Sequence, residues 1–516
     1  MQEVPEHWQA HLDRLEAGRH QSLEHGGPER VARHHAQGKL TARERIAYLT
    51  EAFSEIGQLA CVNVTDAAGN AAGQLPASYV CGLGQVDGRF VAVGAEDFTV
   101  RGGAITIYLD RLKGGHGGFV EDLAHEYRIP LLLLNEGVGG DVSTESADHA
   151  RIPSSFSLSR PLELLHEVPV LSAALGPTAG GSAGRTMLAH FSVMTKQAYL
   201  FAGGPPLVER ALGQKVTKEE LGGWEVHGQN GVVDNVAEDD EDAIDQLRQV
   251  LSYLPQNVWE LPPRGDRIDP IDRRCEQAMR TLPASPRGVY DMHNIIEDVV
   301  DDGSWFEIGA GWGRSLHTGL AHVDGIPVGV LGTNPRHLAG AMDGAAADKQ
   351  VRFVDFCSTF HLPLIYFVDV PGFMIGIESE RSGILRRGMR AVRALFEADV
   401  PLITVHIRRA YGMAANATSN PDRLGLRLAW PTAALGDMPI EGGVAAAFRR
   451  EIESADNPEE FQRQAEQRML AKTDPFRTAA AFGFEELIDP RETRERVAVF
   501  LNASLHRLHS SLLTNR

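Results

Sequence analysis

A chain of 516 residues with 43% apolar content is longer than one hydrophobic core usually supports, so two or more domains are expected. A formal net charge of -19 argues against nucleic acid as a partner, because phosphate backbones are met by clustered Lys and Arg; any anionic ligand must be met locally. The four cysteines, Cys61, Cys81, Cys275 and Cys357, form no CxxC pair, which indicates neither a disulfide framework nor a zinc site and fits a reducing cytoplasm.

Residues 1–50 read as a polar, helical arm whose start lacks an apolar signal core, and no later apolar run is long enough to span a bilayer, so a soluble protein is expected. His7, His11, His20, His25, His34 and His35 are scattered among the charges of the arm. Without Cys co-ligands or a recognisable pattern of acids, a solvated helix face explains them better than a metal site.

Beyond the arm the chain repeats itself. Ile129-Pro-Leu-Leu-Leu-Leu134 ends in Asn135-Glu136-Gly137, and Leu362-Pro-Leu-Ile-Tyr-Phe-Val368 ends in Asp369-Val-Pro-Gly372. Val168-Pro-Val-Leu-Ser-Ala-Ala-Leu175 runs into Gly176-Pro-Thr-Ala-Gly-Gly181, as Val400-Pro-Leu-Ile-Thr-Val-His-Ile407 runs into Arg408-Arg-Ala-Tyr-Gly412. An earlier pair also matches, Gly88-Arg-Phe-Val-Ala-Val93 with Gly325-Ile-Pro-Val-Gly-Val330. These short runs are apolar on both faces and separated by helical patterns, as buried parallel strands in βα units are. One such helix, about 383–398, places Ile384, Leu385, Met389, Val392, Leu395 and Phe396 along one face and arginines on the other. The predicted organisation is an arm (1–50), a first domain (51–254), a linker (255–289) containing Pro255, Pro262, Pro263, Gly265 and Pro270, and a second domain (290–516).

Each repeat carries a strand that stops at a small-residue turn leading into a helix: Ala179-Gly180-Gly181-Ser182 before a helix over Ala183–Met194, and Tyr411-Gly412-Met413-Ala414. Small residues admit a ligand close to the backbone, and free N–H groups at a helix start stabilise a developing oxyanion. A Gly-Gly before a helix is also an ordinary tight turn; two copies at equivalent places favour the catalytic reading and suit a transfer between two carbonyl-bearing partners. No GxSxG elbow and no GxxxxGK[ST] loop is present. His190 and His406 read as structural rather than as bases, and Val193-Met194-Thr195-Lys196 lacks the second Met of a biotin-attachment signal.

Gly38-Lys-Leu-Thr-Ala-Arg-Glu-Arg-Ile46, Asp97-Phe-Thr-Val-Arg-Gly-Gly103, Gly176-Pro-Thr-Ala-Gly-Gly181, Val216-Thr-Lys-Glu-Glu-Leu-Gly-Gly223 and Phe367-Val-Asp-Val-Pro-Gly-Phe373 resemble signatures of the carboxyltransferase (β) subunits of biotin-dependent acyl-CoA carboxylases, of the propionyl-CoA or methylcrotonyl-CoA type. Arg409-Ala-Tyr-Gly412, Ala429-Trp-Pro431 and Ile488-Asp-Pro-Arg-Glu-Thr-Arg494 extend the resemblance over nearly the whole chain from Gly38. It implies an α/β fold of tandem duplicated crotonase/ClpP-like domains, each a ββα superhelix, behind the helical arm. It also implies a hexamer built as a trimer of dimers, with the active site between one subunit's N-domain and another's C-domain.

In that picture acyl-CoA lies on the N-domain, and carboxybiotin arrives at the C-domain on a separate biotin carboxylase/biotin carboxyl carrier (alpha) subunit. Gly180 and Gly181 then form one oxyanion pocket, and Gly412, Met413 and Ala414 the other. Ala179, Ser182, Gly137, Gly139, Tyr411, Asn416 and Phe373 line the substrates. CO2 leaves carboxybiotin, the ureido nitrogen takes the α-proton, and the thioester enolate attacks CO2; no metal is needed and no ATP is bound by this subunit.

Three stretches depart from the family pattern. Asn135-Glu136-Gly137-Val138-Gly139-Gly140 stands where Asp-Ser-Gly-Gly-Ala-Arg is usual, so the arginine is lost. Lys113-Gly-Gly-His116-Gly-Gly118 replaces a lysine-bearing helix, and Asn416 replaces an Asp of propionyl-type members. Glu136 reads as a turn-capping residue ahead of a substrate contact. Two further readings stay open: a decarboxylase or transcarboxylase using the same enolate pocket, and a non-catalytic assembly paralogue.

Overall fold

The computed structural model describes residues 5–65, 71–104, 111–115, 117–139, 158–285 and 288–514; Gly140 and His116, in two of the departing stretches, lie outside the described residues. The chain forms two compact units, Met1–Trp259 and Glu260–Arg516. The stretch read as a linker from its prolines divides between them, and most of it packs inside the second unit. Arg264 bonds Asp324, and Cys275 is buried in that unit's core.

In the first unit the strands are β1 (Ala52–Ile56), β2 (Cys61–Thr65), β3 (Ala71–Pro76), β4 (Tyr79–Val86), β5 (Arg89–Glu96), β6 (Leu131–Asn135), β7 (Val170–Ala174), β8 (Pro177–Ala179), β9 (Phe191–Thr195), β10 (Tyr199–Phe201) and β11 (Asn235–Ala237). The main sheet runs β1-β4-β5-β6-β7-β9-β11, antiparallel as far as β5 and parallel beyond it. In the second unit come β12 (Phe306–Glu307), β13 (Leu316–Val323), β14 (Ile326–Thr333), β15 (Leu364–Val370), β16 (Leu402–Tyr411), β17 (Leu426–Ala429), β18 (Ala434–Gly436) and β19 (Glu486–Leu487). Its sheet runs β12-β13-β14-β15-β16-β17-β19, with the same change from antiparallel to parallel after β14. The register repeats as well: Leu131 pairs Ala92 and Val170, as Leu364 pairs Gly329 and Leu402.

Every residue of β6 and of β15 is buried, because helices on both faces remove the alternation a half-exposed strand would show. Crossover helices such as Phe119–Tyr127 and Gly344–Thr359 supply those faces. Two expectations about helices are corrected. The helix expected over Ala183–Met194 covers only Gly181–Met187, and residues 191–195 are the buried strand β9; a run of apolar residues fits either element by composition alone. In helix Ile384–Glu397 the buried residues are Ile384, Gly388, Ala391, Ala394 and Leu395, while Leu385 and Met389 are exposed. The Phe373 ring occupies the space beside Gly388, so this face uses small residues for close approach.

The arm is bound to the first unit by polar contacts. Thr41 and Glu44 close a capping box at the start of helix Ala42–Leu49, Arg43 grips Glu55 through two nitrogens, and His25 Nδ1 lies 2.6 Å from Asp97 Oδ2.

Candidate active site

The first turn is built where β7 gives way to β8. Ala179 pairs with Phe201 of β10, and its N–H donates to Gly137 O at 2.9 Å. Gly180 follows at φ +57°, ψ -121°, a conformation closed to L side chains, and its carbonyl accepts the Gly184 N–H to begin helix Gly181–Met187. The first-turn N–H groups of Gly181 and Ser182 therefore have no acceptor within the helix. Gly139, at φ +80°, lies against this turn: a Cβ there would stand 2.8 Å from Ala179 O and 3.2 Å from Gly181 N. Around Gly180 itself a Cβ would meet nothing within 4 Å, so this side of the turn is open. Gly137, Gly139, Ala179, Gly180 and Gly181, read separately from the sequence, are thus brought together.

Ser182 differs from that expectation. Its side chain is buried and its hydroxyl donates to Glu96 Oε1 at 2.6 Å, so only its main chain faces the turn. Below it Arg185 joins Glu121 at 2.9 Å, Glu96 at 3.7 Å and the Tyr79 hydroxyl at 2.7 Å. Burial raises both carboxyl pKa values against the pull of Arg185.

Glu136 is neither a cap nor a substrate contact. It is fully enclosed, with Lys39 Nζ 2.7 Å from Oε1 and Arg45 Nη2 2.7 Å from Oε2, and Arg45 also reaches Asp240. Burial opposes its ionisation, but Arg45, Lys39 and His34 outweigh burial and hold the carboxyl below its ordinary range. Two motif glycines make room for it: a Cβ on Gly176 would lie 2.1 Å from Glu136 Oε1, and one on Gly103 would lie 2.3 Å from its carbonyl oxygen.

The second unit repeats this construction. At the end of β16 Tyr411 pairs with Gly436 of β18, and Gly412, at φ +61°, opens helix Gly412–Asn416. The Ala414 side chain is buried, so this residue offers only its main chain; Met413 and Asn416 are exposed, with Asn416 Nδ2 3.5 Å from Met413 Sδ. Asp369 takes the place of Glu136: fully buried at the end of β15, it accepts from Arg408 Nη2 at 2.9 Å, Arg409 Nε at 2.7 Å and the Tyr290 hydroxyl at 3.1 Å. Gly340 makes room as Gly103 does, since its Cβ would lie 2.6 Å from Asp369 O. Phe373 bridges to Met342 and packs on Gly388.

The remaining sequence candidates divide clearly. His190 accepts the Val170 N–H at Nδ1 and lies 3.0 Å from Leu165 O at Nε2, and His406 is buried in β16 with its pKa pushed down to about 4 by burial; both are structural. Lys113, the lysine left in the altered 113–118 stretch, is buried with Nζ 3.9 Å from Glu55, and burial lowers its pKa. A cationic pocket absent from the sequence reading opens beside this turn, lined by Arg30, Arg33, His34, Gln37, Phe98, Thr99, Arg101 and Gly102. Gly102 O accepts the Val138 N–H at 3.1 Å, so the pocket adjoins the Gly137–Gly139 wall. Arg101 was visible inside a recognised motif, but the folding of Arg30 and Arg33 onto it was not.

Comparison with known proteins shows the family and the fold. The carboxyl transferase domain matches residues 33–516. The chain is 35% identical over 496 residues to the propionyl-CoA carboxylase, carboxyltransferase subunit, of Haloferax mediterranei, covering 94% of each. It is 33% identical over 488 residues to the methylmalonyl-CoA decarboxylase subunit alpha of Propionigenium modestum, covering 92% of each. The crystal structure of transcarboxylase 12S with methylmalonyl-coenzyme A and methylmalonic acid bound superposes with a TM-score of 0.86 at 32% identity, over 95% of this chain and 94% of that one.

Proposed function

Because the chain belongs to the carboxyl transferase domain family and is an acyl-CoA carboxyltransferase of crotonase-like fold, we propose that its two glycine turns hold the two carbonyl groups of that reaction. The observation that carries this is the equivalence of Gly180 and Gly412: each stands at positive φ, directly after a strand, at the first turn of a helix. In the first unit the Gly181 N–H receives the thioester oxygen as the acyl-CoA enolises, with Gly139 leaving the room a Cβ would fill. In the second, the main chain of Gly412, Met413 and Ala414 holds the ureido carbonyl, with Tyr411, Asn416 and Phe373 beside the ring. Carboxybiotin on a partner protein supplies CO2 and the ureido nitrogen that takes the α-proton, which accounts for a site without a side-chain base. Ala179 and Gly137 set the turn; Ser182 contributes its main chain.

Coenzyme A needs cations, and Arg30, Arg33 and Arg101 supply them for its phosphates in place of the lysines missing from 113–118. The partner in this reading is a biotin carboxylase/biotin carboxyl carrier (alpha) subunit, and the assembly is a hexamer. The compartment in this reading is the cytoplasm, as four free cysteines suit a reducing medium; among the described residues no helix is long and apolar enough to cross a membrane.

The test combines the protein, its biotinylated partner and a panel of acyl-CoAs, following carboxylated product against CO2 release. Net carboxylation is expected, and Gly139→Ala should lower kcat ~100-fold in a folded protein, the scale of one lost oxyanion donor. Net CO2 release from malonyl-type thioesters would instead favour the decarboxylase direction that a 33%-identical relative is named for.

A further inference from the structure

Away from both turns, the second unit gathers two imidazoles and a carboxylate from three elements. His293 opens helix His293–Val299, Glu307 ends β12 and His317 lies in β13, and one potential ligand atom from each falls within 4.8 Å of the others. His293 Nε2 is 2.9 Å from Glu307 Oε2, His317 Nδ1 is 2.7 Å from Glu307 Oε1, and the two rings are 4.1 Å apart. Two further observations bear on what this cluster is for. The outer nitrogen of His293, Nδ1, lies 3.0 Å from Asp291 Oδ1, and the other Asp291 oxygen accepts from Arg336. The His317 side chain is buried, and its Nε2 has no hydrogen-bond partner among the described residues.

We propose that His293, Glu307 and His317 form a binding site for a divalent transition metal, with zinc as the ion the donor set fits. Two imidazole nitrogens and one carboxylate suit zinc, whereas magnesium and calcium favour all-oxygen shells. Bonds of about 2.0–2.2 Å place neighbouring ligand atoms of a tetrahedral ion about 3.3 Å apart. His293 and His317 now meet different oxygens of Glu307, at 2.9 and 2.7 Å, and the three ligand atoms lie within 4.8 Å of one another, so one ion requires shifts of at most about 1.5 Å, which rotation of the part-exposed His293 and Glu307 side chains supplies. Asp291 sits where the outer carboxylate of a metal-bound histidine belongs: accepting from Nδ1–H, it commits Nε2 to the ion and fixes the ring plane. Lys349, whose charge acts on Glu307, is held by the carbonyls of Trp312 and Leu316. An ion here ties the antiparallel edge of the sheet to the helix that packs beside it. The role is structural, so it stands apart from the transfer reaction. Zinc-type sequence patterns did not reveal it because the ligands are not paired along the chain but meet through the β12–β13 pairing.

Full-length protein stripped with a chelator and titrated with zinc chloride in a calorimeter tests this. One zinc per chain is expected, with Asp291→Asn weakening binding ~10- to 100-fold, the effect of losing an outer-shell partner, and His317→Ala or Glu307→Gln abolishing saturable binding. Absence of saturable binding, or equal affinity in wild type and His317→Ala, overturns the proposal. X-ray absorption on zinc-loaded wild-type protein decides the matter even if a variant fails to fold: two imidazoles in the shell support it, and a sulfur-containing or all-oxygen shell overturns it.

Discussion

Glu136 and Asp369 hold equivalent buried positions in the two units. Each is fully buried at the end of the equivalent strand and neutralised by two cations, Lys39 and Arg45 for one and Arg408 and Arg409 for the other. Removing one partner from such a group leaves the others as buried charges. Glu136→Gln is therefore expected to destabilise the first unit by ~3 to 5 kcal/mol in denaturant unfolding, because Lys39 and Arg45 lose their counter-charge; unchanged unfolding would mean that water reaches the pair. His406 gives a pH signature in the second unit. Its folded pKa of about 4 lies below its ordinary 6.5, so between these values the unfolded chain binds a proton that the folded chain does not. Stability contributed by neutral His406 is complete above pH 6.5 and falls as pH drops toward 4, by at most ~3 kcal/mol. His406→Leu should flatten that part of the stability profile, and a slope unchanged by the substitution would contradict the assignment. At this scale the glycines were legible because their conformational freedom is written in their identity. Glu136 was not, because its partners lie almost a hundred positions earlier in the chain, so its burial depends on the fold.

Strands and turns follow from local composition, and the register shared by the two sheets follows from the repeated pattern. The central strands were legible as apolar runs, and the two turns as small-residue clusters at their ends. Where an element was misjudged, two structures shared one pattern: residues 191–195 suit a buried strand as well as a buried helix, and helix Ile384–Glu397 buries Gly388, Ala391 and Ala394 where larger residues were expected. The turns also distinguish two kinds of glycine. Gly180→Ala meets open space and suffers only backbone strain, ~1 to 3 kcal/mol, with kcat falling as the Gly181 N–H is displaced. Gly176→Ala places a Cβ 2.1 Å from Glu136 Oε1 and 2.4 Å from Lys39 Nζ, so it disrupts the buried pair and should cost more stability. Thermal unfolding of the two variants side by side checks the order, and equal losses would refute it.

For the molecule as a whole, an acidic chain must bind an anionic thioester, and in the proposed reading the arginines of the arm and of the 97–103 motif, which line one pocket, meet that charge locally. Arg33→Ala is expected to raise the KM for acyl-CoA about tenfold with kcat nearly unchanged, since a phosphate contact acts on ground state and transition state alike; a fall in kcat alone would place CoA elsewhere. The duplication was readable across the sequence, and so was the family likeness. The packing of 260–289 into the second unit was not, because proline and glycine mark a change of direction without telling whether the chain then meets a core. The most direct measurement of the central claim is a structure of the full-length protein with an acyl-CoA bound. The thioester oxygen is expected about 2.7–3.1 Å from the Gly181 main-chain nitrogen, between Gly139 and Gly180. A thioester bound elsewhere, with that nitrogen left to solvent, would contradict the account.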